Sequence, residues 1–441
     1  MAEGTRPARS TSIVRDLFRI SSSRASFESN APTEDRFDLV DHPGHVYAAV
    51  YDGHGGTKTA QYLQEQFYSH IFAPALAERA GDASAAFEAA IPAADSAYTD
   101  KAKKDRDWQA LFTGSCLVAC YVDKKRMAVT LGNCGDSRAV MGQEEDGGIL
   151  SALQLTSDHS ADMDDERHRV RAAFPNDKHV VEETWDEYVL EYSHRVKQFA
   201  RFTRSIGDVQ LKDPECARKF NSLSCGVKIE PLPSRDTPYI LATPQVVFHQ
   251  LHRKDKFLII ASDGLWDEIS SDQAVFATGH FIEQYGKEAD IASHLLEYCL
   301  SKIAARLALE EPELGLSTVE GVKSMPPGKN DPKEGTIGRR GLMDDQTIIV
   351  LVFDENVQLD NARPGSVADG MMRSGRSRGR KSTQDWLETM DGVSAKLEAD
   401  TPTIKETTED ASAAAAAAAS PPPEAAATAG EGEAEDEGGR S

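Results

Sequence analysis

Short apolar runs and helical apolar stripes alternate along most of this chain. The runs Val46-Tyr47-Ala48-Ala49-Val50, Phe257-Leu258-Ile259-Ile260-Ala261 and Thr347-Ile348-Ile349-Val350-Leu351-Val352-Phe353 are rich in β-branched and aromatic residues. Each is too short to cross a membrane and reads as a strand buried on both faces. Arg36–Val40, Ser115–Val122 and Met127–Leu131 read as further strands. A different period separates them. Leu63, Phe67 and Ile71 recur every four residues, as do Ile291, Leu295, Cys299, Ile303 and Leu307. That spacing places apolar side chains along one face of a helix. Strands joined as antiparallel hairpins and flanked by helices predict an α+β fold, with a β-sandwich and helices outside it.

The patterning also sets boundaries. After Phe353 the periodicity is lost. Met371–Lys381 is basic and rich in Ser and Gly, Gln384–Met390 is an isolated apolar island around Trp386, and an alanine run leads into Pro421-Pro422-Pro423 and an acidic end. Such a segment cannot bury enough surface to offset chain entropy, so 357–441 is expected to be a disordered low-complexity tail. Residues 1–28 carry Arg6, Arg9, Arg15, Arg19 and Arg24 with many serines, and Ile13, Val14, Leu17 and Phe18 could form one helical face. They read equally as a flexible arm or as a mitochondrial transit peptide, the acids Glu3, Asp16 and Glu28 counting against the latter. The core is expected over 29–356, with a Pro/Gly-rich surface insertion at 310–341. The aromatics of 182–199 are expected to pack on the core.

Composition narrows the function classes. Of 441 residues, 40% are hydrophobic, enough for a large core, and no run of about 18 apolar residues exists to span a membrane. The net charge of −23 argues against a nucleic-acid partner, whose phosphates call for a basic surface. The six cysteines include no C-x-x-C pair and are expected to be reduced core thiols.

The candidate chemistry lies where the strands end. Tyr51-Asp52-Gly53-His54-Gly55-Gly56 follows the first apolar run. Asp offers a hard oxygen ligand, Gly lets a main-chain carbonyl approach a cation, and His moves a proton near neutral pH. Asp263-Gly264 follows a second run, Asp344-Asp345 precedes the third, and Glu34-Asp35 precedes Arg36–Val40. Strand ends in a packed sheet share an edge, so these carboxylates are expected to cluster and to need a cation. An all-oxygen donor set favours magnesium or manganese over zinc.

With Thr113-Gly114-Ser115, Gly132–Arg138, Asp158-His159, Arg204–Asp208, Ala261–Asp267 and Asp344–Thr347 standing in order, the chain resembles the metal-dependent Ser/Thr phosphatases of the protein phosphatase 2C type from about Asn30 to Phe353. The resemblance implies a β-sandwich flanked by helices. It also implies two Mg²⁺ or Mn²⁺ ions, with room for a third. Asp52 corresponds to the carboxylate bridging both ions, Gly53 to a carbonyl ligand, Asp263 and Asp344 to ligands of the other ion, and Glu34 to a residue holding metal-bound water. Asp158 and Asp267, with Asp263, correspond to the third, weaker site, and His54 to the general acid. Asp344 is preferred to Asp345 because the family's ligand stands three residues before the Thr. The implied reaction is attack of metal-activated water on a phosphoserine or phosphothreonine ester of a phosphoprotein substrate. Cys120 and Arg126 have the spacing of a thiol phosphatase, but no glycine lies between them to cradle a phosphate.

Asn30 stands where many relatives carry a phosphate-gripping Arg. Its amide is the candidate contact to the substrate phosphate, with Arg24 or Arg36 as compensating cations. Ser29–Arg36, Met141–Gly148, Leu155–His159 and Arg253–Phe257 resemble pyruvate dehydrogenase phosphatase catalytic subunits. That likeness implies pyruvate dehydrogenase as substrate and the mitochondrial matrix as location. The alternatives are a cytoplasmic phosphatase with another substrate and a phosphoprotein-binding pseudophosphatase. Three other positions are expected to be structural. His159 should make a buried hydrogen bond, Asp136 and Arg138 should pair or brace a turn, and Asp208 should brace a loop. His249 and His252 read as ordinary surface or edge residues.

Overall fold

The structure, a computed structural model, describes residues 18–186, 191–224, 228–328 and 337–354. Thirteen strands are found among them. They are β1 (Ile20–Phe27), β2 (Arg36–His42), β3 (His45–His54), β4 (Gly114–Asp123), β5 (Ala128–Cys134), β6 (Arg138–Glu145), β7 (Ile149–Gln154), β8 (Val181–Asp186), β9 (Glu191–Val196), β10 (Ile206–Gly207), β11 (Gln245–Gln250), β12 (Asp255–Ala261) and β13 (Gln346–Phe353). One sheet has the order β1-β13-β12-β6-β7. The second runs β11-β5-β4-β3-β2, with the short β10 also on β4, and β8-β9 is a separate hairpin. All these pairings are antiparallel.

Alternation explains why the central strands read as unbroken apolar runs. In β3, Val46, Ala48 and Val50 enter the core between the sheets, where they meet Val118, Cys120, Leu258, Ile260, Ile349 and Leu351. Tyr47, Ala49 and Tyr51 point the other way, into a second core against the helical layer, with Leu63, Phe67, Phe72, Phe87 and Ile91. Helices Lys58–Gln66 and Ala83–Asp105 cover this sheet, while Ser271–Tyr285 and Ile291–Glu310 cover the other. The predicted sandwich with helices outside is therefore the fold observed.

Four expectations need correction. First, Ile20–Phe27 is not a loose arm. It pairs with β13 over its whole length, Ile20 opposite Phe353 and Phe27 opposite Gln346. Phe18 stacks on Phe353 at 5.9 Å between ring centroids. The folded core thus begins before residue 29, while 1–17, including Ile13, Val14 and Leu17, lie outside the described residues. Second, the stripe Leu63, Phe67, Ile71 does not continue as one α-helix. A π-helical turn, Phe67–Phe72, intervenes, and its wider winding places Phe72 in the core instead of Ile71, which is only partly buried. Third, the 310–341 insertion is more than a loop. It holds the short helix Val319–Ser324 and buries Val322 and Met325. Fourth, Trp185 and Tyr192 do not pack on the core. They lie exposed on the β8–β9 hairpin and meet edge to face at 5.2 Å. The tail 357–441 with Trp386, and Tyr188, lie outside the described residues. The five described cysteines are buried and free, and no described helix is long and apolar enough to cross a membrane.

Candidate metal centre and proton donor

Register places the chemistry at one end of the sandwich. Asp52 lies opposite Cys116 and His54 opposite Gly114 at the end of β3. Ala261, the last residue of β12, lies opposite both Arg138 and Ile348. The end of β3, the β5–β6 turn, the end of β12 and the starts of β2 and β13 therefore share an edge. Glu34, Asp52, Asp136, Asp263 and Asp344 all stem from it.

Asp52, Asp136 and Asp263 form a tight set, with one carboxylate oxygen from each lying within 4.8 Å of the others. Asp52 is pushed well above the usual carboxylate range, first by burial and then by the charges of Asp263, Asp35, Asp344 and Asp136. Burial, Asp136, Asp267 and Asp344 do the same to Asp263. Two unit charges about 4.8 Å apart repel by roughly 3.5 kcal/mol at an effective dielectric of about 20. A cluster in that state holds protons or a hard cation. The donor set is all oxygen, so these residues fit a divalent ion of the magnesium or manganese kind.

Asp136 was expected to brace a turn beside Arg138. Instead, Arg138 turns to Asp158, donating from Nε at 2.9 Å, and Asp136 joins the metal set. The Gly135-Asp136 step at a strand end carried the same signal as Asp52-Gly53, but only the topology shows that the two edges coincide. Asp158 is thus engaged by a cation, as is Asp267, which accepts from Arg201 Nη1 at 3.2 Å. Asp267 still reports Asp136 and Asp344 nearby and is raised to about 6, chiefly by burial. The two residues expected at a third ion, Asp158 and Asp267, are thus already paired with arginines.

Asp345 behaves as a brace. Its carboxylate accepts from the backbone N–H of Ser29 at 2.6 Å, of Asn30 at 2.7 Å and of Glu34 at 2.8 Å, and from Asn30 Nδ2 at 3.0 Å. Asp344 is the residue of the pair whose charge reaches Asp52 and Asp263. Its carboxylate is paired with Arg340. Glu34 is raised by burial, opposed mainly by Arg340. Gly53 is required by space: a Cβ there would lie 2.3 Å from the Glu34 carbonyl oxygen. Asn30 is buried, and its amide donates to Asp345 and, at 3.4 Å, to Glu34 Oε2, so its donors are spent within the protein. The suggested compensating cations are occupied too. Arg24 lies over the Phe37 ring, and Arg36 donates to the carbonyls of Thr33 and Asp35.

His54 closes the site. Its Nε2 lies 2.7 Å from Asp208 Oδ2, and its ring lies against Phe202. Burial alone would lower its pKa, but Asp208 more than offsets this and raises it above the ordinary histidine value. Asp208 also accepts from Ser205 Oγ at 2.7 Å. It therefore braces a loop as expected and, in addition, holds the imidazole, a role no sequence spacing reveals. Gly114 makes room for the pair, since a Cβ there would fall 1.9 Å from Asp208 Oδ2. His159 is structural, accepting from Gly135 N–H at 3.1 Å through Nδ1. His249 and His252 flank buried Asp255 at the opposite end of β12, with His249 Nε2 2.9 Å from its carboxylate.

A two-sheet sandwich with clustered carboxylates and a carboxylate-held imidazole at one edge defines a metal-dependent hydrolase. The particular family is protein phosphatase 2C, which matches residues 16–305, and the chain belongs to it. The chain is 31% identical over 311 residues to "Probable protein phosphatase 2C 72" of Oryza sativa subsp. japonica, covering 70% of each. It is 32% identical over 258 residues to "Probable protein phosphatase 2C 68" of Arabidopsis thaliana, covering 57% of this chain and 62% of the relative. The solved "Crystal structure of a phosphatase from a pathogenic strain Toxoplasma gondii" shares the fold, with a TM-score of 0.50 at 16% identity over 77% of this chain and 94% of the other. The protein is a metal-dependent serine/threonine protein phosphatase. The family match ends before Asp344, so the role of that residue rests on the geometry.

Proposed function

We propose that this phosphatase works with two Mg²⁺ or Mn²⁺ ions held by Asp52, the Gly53 carbonyl, Asp263, Asp344 and Glu34, with Asp136 beside them. The observation that carries the proposal is the Asp52–Asp136–Asp263 cluster next to the His54–Asp208 pair. Bound ions would supply an acidified water and positive charge for the phosphoryl oxygens. The protein's own groups do the rest. Asp52 and Asp263 gather negative charge that a divalent cation would relieve in place of protons. In the imidazolium form of His54, Asp208 accepts the Nε2 proton's hydrogen bond, which leaves the Nδ1 proton for the departing serine or threonine oxygen. A poor alkoxide leaving group gains most from such a donor. Hydrolysis of a phosphothreonine peptide with and without Mn²⁺ tests the assignment. Asp52→Asn and Asp263→Asn should abolish it, and activity surviving both would overturn it.

A finer reading, action on phosphorylated pyruvate dehydrogenase in the mitochondrial matrix, is supported by the likeness of Ser29–Arg36 and by the arginines before residue 20; the relatives reported above are plant phosphatases. Localisation is tested by imaging a tagged chain lacking 1–17. A cut at residue 28 would remove β1 and confound the result. Loss of mitochondrial signal on removing 1–17 supports the reading, and cytoplasmic signal from the full chain overturns it.

A further inference from the structure

We propose that Arg340 is the residue that binds the substrate phosphate. The inference rests on the phosphatase reading of the site and assigns a group the sequence left unassigned. Phosphate is a dianionic ligand, and here it would approach a nest of carboxylates. It therefore needs a cation from the protein, best a guanidinium, whose fork matches phosphate oxygens. Asn30, Arg24 and Arg36 are already committed, as shown above. The other guanidinium groups around the site are paired with carboxylates outside the proposed two-ion set, although Arg201 also feels Asp263 and Asp136. Arg138 is on Asp158, Arg201 bridges Asp162 and Asp267, and Arg204 is on Glu166.

Arg340 differs in its partner. Among the described residues its guanidinium pairs with Asp344, a proposed metal ligand, and it also feels Glu34 and Asp263. Of the charges that act on Glu34, Arg340 is the strongest. The guanidinium thus stands at the corner of the site where Glu34 and Asp344 meet.

Its backbone is fixed there. The Arg340 N–H donates to Gly328 O at 3.1 Å, and Gly328 N–H donates to Ser29 O at 2.6 Å. Neighbouring Arg339 donates to Glu28 O at 2.7 Å and covers the Phe27 ring. Ser29 Oγ donates to Asp344 O at 2.7 Å. This lacing ties the segment before β13 to the end of β1. On such a base, a guanidinium already held by Asp344 has less rotamer freedom left to lose on gripping a ligand. With cations shared among the carboxylates, Asp344 holds Arg340 less strongly, and the guanidinium can turn its donors to the phosphate.

The test uses the full chain as wild type, Arg340→Gln and Arg340→Lys, each first checked for an unchanged thermal melt. Two measurements are made at saturating Mn²⁺: KM and kcat on a phosphothreonine peptide by kinetics, and the affinity for inorganic phosphate by calorimetry. Mn²⁺ affinity is read separately. Losing a charged hydrogen bond of about 1.5–3 kcal/mol predicts weaker phosphate binding by roughly ten- to a hundredfold in Arg340→Gln. KM should rise likewise, kcat should change less, and Mn²⁺ affinity should stay equal or tighten. Arg340→Lys should recover part of the loss. Unchanged phosphate affinity in Arg340→Gln would overturn the proposal and leave Arg340 as a counter-ion to Asp344. A wild type that neither hydrolyses the peptide nor binds phosphate would instead overturn the phosphatase reading itself.

Discussion

At the scale of single residues, the acid role proposed for His54 turns on its contact with Asp208. Asp208 raises the His54 pKa, so the imidazolium persists to higher pH than a free histidine would allow. Replacing Asp208 by Asn removes that support. The protonated donor is then lost at lower pH, and the alkaline fall of kcat should move toward acid while kcat at neutral pH drops about a hundredfold. A kcat–pH profile that keeps its alkaline limb in place would show that Asp208 does not tune the imidazole. Gly114→Ala tests the same pair from the side, because the new methyl would fall within 2.2 Å of His54 Nε2. We expect kcat to fall while Mn²⁺ affinity holds, since the atoms nearest the new methyl belong to Asp208 and His54; calorimetry beside kinetics separates the two. Asp52, Gly53 and His54 were legible in the sequence because they sit together on one strand end. Asp136, Asp208 and Arg340 were not, because their partners come from distant segments that only the register brings near.

At the scale of elements, β1 and the π-turn show where local patterning misleads. β1 is an edge strand with four serines among its eight residues and little apolar content, so it reads as an arm. Its hydrogen bonds to β13 and the Ser29 and Asn30 contacts to Asp345 reveal its role. A chain beginning at residue 18 should therefore melt with the full-length protein. One beginning at residue 29 exposes the β13 edge and should lose cooperative unfolding. Equal melting of the two would mean that β1 is dispensable. The π-turn shifts the apolar stripe by one residue, which periodicity counted on an α-helix cannot anticipate. Phe72 stacks on Phe87 at 4.3 Å in the helical core, whereas Ile71 is only partly buried. Phe72→Ala should cost about 3–5 kcal/mol in denaturant unfolding, and Ile71→Ala well under half as much. Equal costs would place both residues on the core face, as a plain α-helix would.

At the scale of the molecule, the sandwich concentrates acid at one edge, and that couples metal, pH and stability. The central strands and the layering were legible in the runs and stripes, whereas β1, β6, β7, β11 and the β8–β9 hairpin were not. That the carboxylates gather at one edge was expected from their strand-end positions; the strand order, and the arrival of Asp136 from the β5–β6 turn, were not, because strand order is a property of the whole sheet. The consequence can be worked out by sign. Burial and neighbouring Asp345 raise Asp35 to about 7, burial raises Asp267 to about 6, and Asp52 and Asp263 are raised further. A carboxyl raised in the fold binds more protons there than when unfolded, so its stabilising contribution is full below about pH 4 and is lost as pH climbs through the raised value. Without divalent ions the edge should therefore weaken the fold between about pH 4 and pH 7, and beyond that for Asp52 and Asp263. Other groups act in the opposite sense. Burial and Arg204 lower His159 to about 3, and Arg204 and Arg169 overcome burial to hold Glu166 at about 2, so both add stability as pH rises. Comparing melts with and without Mg²⁺ cancels those contributions and isolates the cluster. A cation must displace the protons that the raised carboxyls hold, so the gain in Tm on adding Mg²⁺ should be larger at pH 8 than at pH 6. Protons should be released on binding, and Asp52→Asn should shrink both effects. A Tm gain independent of pH, with no proton release between buffers of different ionisation enthalpy, would mean that the buried cluster is not where the cation binds.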